Sequence, residues 1–297
     1  MAARMYYEDG LSQSEVAAKI GVSRPTVSRL LSYARQSGIV QIVLTKPDGG
    51  DSLTNELQLA LGLSRAIVVD VTRNRAPEEA IALAARAEVA GLLLGPGDTL
   101  GLSWGGAMLR LAHAASGLGL EGVKVVPIVG GMDEIDQRFQ SNEIAREFAV
   151  RSGGQVVFIM APVTPAGDLA RRLRDDPDYG QRLALWDNLT AAVVGMGMRP
   201  EAASYLPAHL QWARQLTGAA GDVAGCYFTI EGEDLRPPGD AGMLAITHHQ
   251  LRNTPYVLGV ASDPGKAESI IGASRGHLVT ALVTDTVTAR KVLDRLT

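Results

Sequence analysis

The sequence predicts an α/β protein in which a small helix-turn-helix domain precedes a larger domain with a doubly wound, mostly parallel sheet. Residues 11–44 show the order helix, glycine, helix, glycine, strand, and from residue 66 onward Val- and Ile-rich runs alternate with helical patterns. Between them, residues 46–51 place a proline and two glycines among charges, which neither a strand nor a helix tolerates. We therefore predict domains at 1–46 and 52–297, joined by a linker at 47–51.

The first helix of the pair is predicted to begin at Ser12, whose hydroxyl caps it while Glu15 reaches back to complete a capping box. Val16 and Ile20 lie four residues apart and face one side of this helix. Gly21 ends it, because glycine adopts the left-handed conformation without a steric penalty.

The second helix is predicted to be capped by Ser23, with Pro25 in its first turn, where a missing N–H costs nothing. Gly38 is expected to close it before a strand at Ile39–Leu44. Its predicted buried stripe comprises Val27, Leu30, Leu31 and Ala34.

Polar and basic side chains around these two helices are available to DNA bases and phosphates. The predicted DNA-binding residues are Gln13, Ser23, Arg24, Thr26, Ser28, Arg29 and Arg35. An ordinary pair of packed helices with solvated arginines fits the spacing equally well, but the charge distribution favours DNA. Residues 1–46 carry six basic and three acidic side chains, a charge of +3, whereas the whole chain carries −4 and the remainder therefore −7.

The larger domain is predicted to begin with a short amphipathic helix marked by Leu53, Leu57 and Leu61 and ended by Gly62. Eight strands are predicted after it: Ala66–Val71, Thr99–Ser103, Val123–Val129, Val156–Ala161, Ala191–Met196, Met243–Thr247, Tyr256–Ala261 and Leu278–Val283. Helices are expected near 78–94, 106–115, 142–152, 265–273 and 285–296.

These motifs together resemble the SorC family (DeoR/CggR group) of bacterial transcriptional regulators, in order and over nearly the whole chain. The segments that carry the resemblance are YYEDGLSQSEVAAKIGVSRPTVSRLLSYARQSGIV (6–40), GDTLGLSWGGAM (97–108), VVPIVGGM (125–132), QSNEIAREFA (140–149), GDVAGCYF (221–228) and KAESIIGASRGHLVTALVTDTVTARKVL (266–293). The resemblance implies an effector-binding body similar to the sugar-phosphate isomerase and deaminase folds. The family's first helix usually begins earlier than Ala2, so the native start codon is expected upstream.

The loop Gly101–Ala107 follows a strand and opens a helix, where ligands bind in such sheets. Ser103, Trp104, Gly105 and Gly106 are therefore predicted to contact the effector, although a tight turn that needs glycine only for its geometry fits equally well. Family members that bind sugar phosphates often carry Thr or Arg where this chain has Gly106 and Ala107, and some carry a cation where it has Val129.

The resemblance also implies effector contacts from Gln140, from Asn142 at the pocket border and from Lys266 with ligand phosphate. A role for Asn142 as a helix cap fits the sequence equally well. So does a solvated Lys266 beside an Asp263 that caps the next helix. Asp263 adds a negative charge and a hydroxyl acceptor, and Asp222 is expected to accept a sugar hydroxyl or to shape a turn. The predicted pocket is therefore sugar-like and weakly phosphate-specific at most.

Other chemistry finds little support in the sequence. The single cysteine, Cys226, excludes an intramolecular disulfide and suits a cytoplasmic protein, and we expect neither a secretory leader nor a membrane-spanning segment. His248 and His249 are adjacent and in a strand would point to opposite faces, with no cysteine nearby, so no metal is expected. Gly-x-Gly-x-x-Gly spacing is absent, and we expect no cofactor.

We predict a DNA-binding regulator of carbohydrate metabolism whose operator affinity a sugar, polyol or sugar phosphate controls. The alternative is a sugar-phosphate isomerase or deaminase with an appended helical module, but no clear catalytic base stands at a loop mouth. A purely architectural DNA-binding protein does not suit a small basic module on a large acidic domain. One helix-turn-helix reads few base pairs, so a homodimer or homotetramer is expected.

Overall fold

The computed structural model describes residues 1–7, 10–36, 40, 52–71, 76–131, 140–203, 208–236 and 243–297, and only the backbone of 35, 36 and 208–210. The chain divides into two compact units, Met1–Gly49 and Gly50–Thr297. The predicted linker 47–51, Gly38, the predicted strand Ile39–Leu44 apart from Val40, and the Arg35 side chain lie outside the described residues.

The N-terminal unit contains the helices α1 (Ala2–Tyr7), α2 (Gln13–Ile20) and α3 (Arg24–Gln36). The predicted capping box is confirmed: the Ser12 hydroxyl accepts from the Glu15 N–H at 3.3 Å, and the Glu15 carboxylate accepts from the Ser12 N–H at 2.8 Å. Gly21 ends α2 with φ 71°. The Ser23 hydroxyl accepts from the Thr26 N–H at 3.3 Å and so holds the start of α3.

One residue of the buried stripe predicted for the second helix is exposed in the structure. Val27, Leu31 and Ala34 of α3 are buried, and the first two pack against Val16 and Ala17 of α2. Leu30, predicted to be buried, is 42% exposed. At 3.6 residues per turn it lies roughly 65° from the centre of the buried stripe, at its margin.

The second unit contains ten strands within its described residues. They are β1 (Arg65–Val69), β2 (Thr99–Leu102), β3 (Lys124–Pro127), β4 (Gln155–Val156), β5 (Ala191–Gly197), β6 (Ala219–Val223), β7 (Cys226–Thr229), β8 (Asp234–Leu235), β9 (Tyr256–Val260) and β10 (Ala281–Asp285). Seven of them form a parallel sheet in the order β1–β10–β9–β5–β2–β3–β4, and β6, β7 and β8 extend from the end of β5 as an antiparallel ribbon.

Nine α-helices accompany the strands in the described part of this unit. They are α4 (Ser52–Leu61), α5 (Pro77–Gly91), α6 (Gly106–Ala114), α7 (Ser141–Ser152), α8 (Leu169–Asp175), α9 (Pro177–Leu183), α10 (His248–Asn253), α11 (Ala267–Arg275) and α12 (Thr286–Leu296). Short 3₁₀ helices lie at Ala184–Asn188, Ala208–Gln215 and Pro264–Lys266.

The parallel sheet is buried on both faces, as the doubly wound prediction requires. Ala192, Val194 and Met196 of β5 belong to the core cluster that includes α4, α11 and α12, whereas Ala191 and Val193 belong to the cluster that includes α5, α6 and α7. This alternation follows from the two-residue period of a strand. The predicted fold class is therefore confirmed.

Two predicted strands are largely absent from the described structure. Of Val156–Ala161 only Val156 belongs to a strand, since the Ile159 main chain is paired with the Asn142 side-chain amide instead of a neighbouring strand. Met243–Thr247 is irregular apart from one antiparallel bridge between Ala245 and Val129. Leu244, Ala245 and Ile246 are buried without belonging to a ladder, which explains the strand-like sequence of this segment.

The last predicted strand, Leu278–Val283, in fact begins at Ala281 and runs to Asp285. His248 and His249, which follow the predicted strand Met243–Thr247, occupy the first turn of α10. The antiparallel ribbon of β6–β8 and the helices α8 and α9 were not predicted.

Candidate functional site

A cavity of about 170 Å³ lies where the parallel strands β2 and β5 end. Parallel strands bring their carboxyl ends to one edge of the sheet, where loops and helix N-termini meet. The cavity is lined by Ser103, Trp104, Gly105, Gly106, Ala107, Gly195, Met196, Gly197, Asp222, Ala224 and Lys266. Six of the nine residues predicted to bind the effector therefore share one cavity.

The start of α6 contributes main-chain donors to this cavity. Gly105, its N-cap, has φ 105° and ψ 176°, and no side chain caps the first turn. A side chain at this φ would be strained, which explains the glycine. The first N–H groups of a helix have no intrahelical acceptor, so Gly106 and Ala107 present donors and the positive end of the helix dipole to a ligand.

Ser103 joins the two strands below the cavity. Its side chain is buried, and the hydroxyl oxygen accepts from the Gly195 N–H at 2.8 Å. The hydroxyl thus replaces a main-chain acceptor just beyond the end of β2. Its oxygen is already engaged, and its proton can still be donated.

Asp222 is the acidic group of the cavity. It lies on β6 opposite Gly197 of β5, and its carboxylate accepts from the Gly225 N–H at 3.0 Å. Burial raises the pKa of Asp222 to about 6, against the opposing effects of the Gly225 hydrogen bond and the Lys266 charge. The carboxyl group therefore changes its protonation close to neutral pH.

Lys266 is the cation of the cavity. It closes the 3₁₀ turn Pro264–Lys266 immediately before α11. Burial lowers the pKa of Lys266, while the charges of Asp263 and Asp222 act in the opposite direction. Asp263 accepts from the Gly265 N–H at 2.7 Å and caps this turn, so it influences the lysine without lining the cavity.

Trp104 connects the cavity to an apolar cluster. Its side chain packs against buried Val129, Val163 and Ala245, together with Met243. Val129 is fully buried in this cluster, so an apolar side chain stands where some family members place a cation. On this side the Trp104 ring therefore rests on apolar side chains.

Gln140 and Asn142 lie outside the cavity lining. Gln140 is the N-cap residue of α7, and its side chain makes no capping hydrogen bond. The Asn142 amide donates to the Ile159 carbonyl and accepts from the Ile159 N–H, both at 2.9 Å. These two bonds favour a structural role for Asn142, and its predicted contact with the effector stays a prediction.

Most of the predicted DNA-binding residues whose side chains the structure describes lie on α3 or at its start. Arg24, Ser28 and Arg29 are exposed, Thr26 is half-buried beside the Ser23 hydroxyl at 2.9 Å, and Gln13 is half-buried at the start of α2. The long basic side chains are thus accessible at the N-terminal half of α3, the part of a recognition helix that meets base edges.

A second titratable cluster, around α10, is structural. His248 Nε2 lies 2.8 Å from the Tyr227 carbonyl, and burial lowers the pKa of this histidine. Arg252 binds both carboxylate oxygens of Asp234 and donates to the Gly276 carbonyl at 2.8 Å. Within the described residues no three His, Cys, Asp or Glu side chains are placed to hold a metal ion.

The cavity residues that sequence reasoning missed are small or apolar. Gly195, Met196 and Gly197 end β5, and Ala224 follows β6. The alternation of glycine with methionine at the end of a buried strand was the available signal, because glycine in a strand marks a close approach of another group. A Cβ at Gly197 would lie 1.9 Å from Asp222 Oδ1.

A helix-turn-helix unit that precedes an α/β unit with a polar cavity at its strand ends defines a class of transcriptional regulators controlled by a small molecule. Residues 46–294 match the family model described as "Putative sugar-binding domain", and residues 1–43 match a homeodomain-like domain. The chain belongs to this sugar-binding family and is a SorC-type transcriptional regulator.

Individual relatives extend over the same length. The chain is 28% identical over 299 residues to the transcriptional regulator LsrR of Klebsiella pneumoniae subsp. pneumoniae, covering 97% of this chain and 90% of that one. It is 28% identical over 302 residues to the deoxyribonucleoside regulator of Bacillus subtilis, covering 99% and 96%. The full-length sorbitol operon regulator SorC from Klebsiella pneumoniae has a similar crystal structure, with TM-score 0.79, 26% identity and 98% and 96% coverage.

These relatives are named as regulators and not as enzymes. The predicted function, a DNA-binding regulator controlled by an effector, is therefore confirmed against the alternative of an isomerase or deaminase. No helix among the described residues is long and apolar enough to cross a membrane.

Proposed function

We propose that the cavity binds a sugar or polyol, unphosphorylated or singly phosphorylated, and that its occupancy changes the affinity of α3 for operator DNA of carbohydrate genes. The observation that carries this proposal is the convergence of Trp104, Asp222 and Lys266 on one cavity with the uncapped start of α6. The protein would act in the cytoplasm, where its DNA partner is found.

The chemistry of these groups suits a polyhydroxylated ligand. The Asp222 carboxylate accepts hydrogen bonds from hydroxyl groups, while Lys266 and the N–H groups of Gly106 and Ala107 donate to them. Trp104 offers an apolar ring face of the kind that packs against the C–H face of a sugar. A volume of about 170 Å³ suits a single sugar ring better than a larger ligand.

The charges argue against a ligand with two phosphate groups. A dianion loses strong hydration on binding and needs several fixed donors in return. Lys266 is the only cation that lines the described cavity, and Asp222 and Asp263 stand close enough to affect its pKa. The names of two relatives, a sorbitol operon regulator and a deoxyribonucleoside regulator, also support a carbohydrate-related effector.

On the DNA side, the proposed base-reading residues are Arg24 and Arg29. The other proposed contacts, to bases or phosphates, come from Gln13, Ser23, Thr26, Ser28 and Arg35. Operator recognition by one such unit covers only a few base pairs, so we propose that a homodimer or homotetramer presents two units to two half-sites.

Thermal-shift measurements with sorbitol, hexoses, deoxyribose, their monophosphates and a hexose bisphosphate test the effector class. We expect at least one neutral or singly phosphorylated compound to raise the Tm, and the shift to disappear in Lys266→Ala. Lys124→Ala is the matched control, because Lys124 is an exposed lysine at the opposite end of the parallel strands. A shift of equal size in Lys266→Ala and the wild type would contradict the assignment of this cavity.

A further inference from the structure

The exposed face of α3 carries an aromatic side chain that the DNA-binding residues proposed above do not include. Tyr33 is 65% exposed, and no aromatic side chain among the described residues is more exposed. The opposite face of α3 holds the buried Val27, Leu31 and Ala34. Tyr33 is therefore kept out of the core of its own unit by the geometry of the helix.

Tyr33 lies on the same side of α3 as Arg29. Residues four apart on an α-helix are within roughly 40° of each other around the axis and about 6 Å apart along it. That rise is close to two base-pair steps of about 3.4 Å each. When Arg29 meets a base edge in the major groove, Tyr33 is within reach of a base pair nearby.

The chemistry of the side chain selects the group that it meets. The major-groove edge of DNA offers one apolar group, the C5-methyl of thymine. An exposed tyrosine ring gains by covering such a methyl group, whereas the neighbouring arginine gains most from guanine acceptors. Phosphate contacts need only the tyrosine hydroxyl, and the exposed ring would not contribute to them.

We infer that Tyr33 is a specificity-determining residue that reads a thymine methyl group within about two base-pair steps of the base pair contacted by Arg29. This inference rests on the proposed function of α3 as the recognition helix. It assigns to Tyr33 a preference for one base that the basic side chains cannot supply.

The test uses the full-length protein and an operator selected by it from a random double-stranded library. Each thymine of the operator is replaced in turn by deoxyuridine, which lacks the methyl group. For the wild type and Tyr33→Phe we expect one substitution to weaken binding by about fivefold or more. Tyr33→Ala should bind the unmodified operator about fivefold more weakly than the wild type does. Deoxyuridine at the sensitive position should then weaken its binding no further.

Several outcomes would overturn the inference. One is equal affinity of Tyr33→Ala and the wild type for the operator. Another is a loss in Tyr33→Phe as large as in Tyr33→Ala, with no effect of deoxyuridine at any position, since that result assigns the role to the hydroxyl and not to the ring. Tyr7→Ala, which removes an exposed tyrosine of α1, controls for nonspecific effects.

The inference and the proposed function fail in different ways. If Arg24→Ala/Arg29→Ala still binds the operator, α3 is not the recognition helix and both fail. If that double variant loses operator binding, while Tyr33→Ala still binds the operator and is still weakened by deoxyuridine, only the role of Tyr33 is wrong.

Discussion

Asp222 combines burial with a single main-chain hydrogen bond, and its protonation should therefore affect ligand binding. Its pKa of about 6 means that the carboxylate, which accepts ligand hydroxyl groups, becomes a carboxylic acid on mild acidification. A neutral polyol that prefers the carboxylate should bind with full affinity above pH 7 and lose up to about tenfold per pH unit below 6.

Calorimetry of the best neutral ligand between pH 5 and 8 checks this pH dependence. Asp222→Asn is the matched variant, because it keeps the shape of the side chain and removes the titration. We expect its affinity to be weaker at pH 7.5 and nearly constant with pH. A wild-type affinity that does not change between pH 5 and 7.5 would show that the ligand does not contact this carboxylate.

Arg29 is exposed at the N-terminal half of α3 and should read a base. Its replacement by alanine should cost about 1–3 kcal/mol of operator binding, with relaxed preference at one base pair. Competition binding on the operator and on single-base variants measures both effects. If the double variant Arg24→Ala/Arg29→Ala binds as tightly as the wild type, the assignment of α3 to DNA is wrong.

The residues that define the site differ in how far the sequence could predict them. Trp104 was predicted because it stands between a strand and a helix, and Lys266 because the resemblance to the family implies a ligand contact at that position. Gly197 and Ala224 were not predicted, because these small residues contribute only space to the cavity and no functional group identifies them in the sequence. Asn142 was predicted at the pocket border, and its pairing with Ile159 depends on a chain segment 17 residues away.

At the scale of elements, the join between β5 and β6 positions Asp222. A methyl group at Gly197 would lie 1.9 Å from Asp222 Oδ1, so Gly197→Ala must displace the carboxylate. We expect near-normal folding, because the carboxylate is the movable end of a side chain. Ligand affinity should fall by about tenfold, since Asp222 then loses its place in the cavity and its bond to Gly225.

Ligand titrations and thermal unfolding of Gly197→Ala measure the two effects separately. Gly95→Ala serves as the control, since an added Cβ there meets nothing within 4 Å. In the background of Asp222→Ala the second change should have little further effect on affinity, because the displaced group is gone. Additive losses in the double variant would mean that Gly197 acts independently of Asp222.

Elements with a strong local signal were predicted well from the sequence. The capping box of α2, the left-handed Gly21 and the buried strands β2, β5 and β9 all follow from neighbouring residues. Residues 243–247 were wrongly predicted as a strand, because burial by tertiary contacts produces the same apolar run. The β6–β8 ribbon was missed because its short strands depend on pairing with the end of β5.

At the scale of the whole molecule, the basic N-terminal residues and the acidic remainder of the chain imply that DNA affinity depends on presenting two N-terminal units together. Light scattering should therefore give a dimer or tetramer of the 31.3 kDa chain, free and on DNA. Half-sites should lie about 34–36 Å apart or at multiples of that distance. A monomer in both states, or full affinity for an isolated half-site, would contradict this assembly.

The effector must act on DNA binding through a difference in affinity between the free and the DNA-bound protein. Coupling between two ligands is reciprocal. If the effector changes the affinity of the protein for the operator by a given factor, the operator changes the affinity of the protein for the effector by the same factor. We expect a neutral or singly phosphorylated sugar or polyol to meet this condition, and a bisphosphate to bind poorly, because Lys266 stands beside Asp222 and Asp263. Calorimetry with the free protein and with the operator complex measures both affinities, and Lys124→Ala should behave as the wild type. Tight binding of a sugar bisphosphate that is unchanged by Lys266→Ala would refute both the ligand class and the role of the lysine.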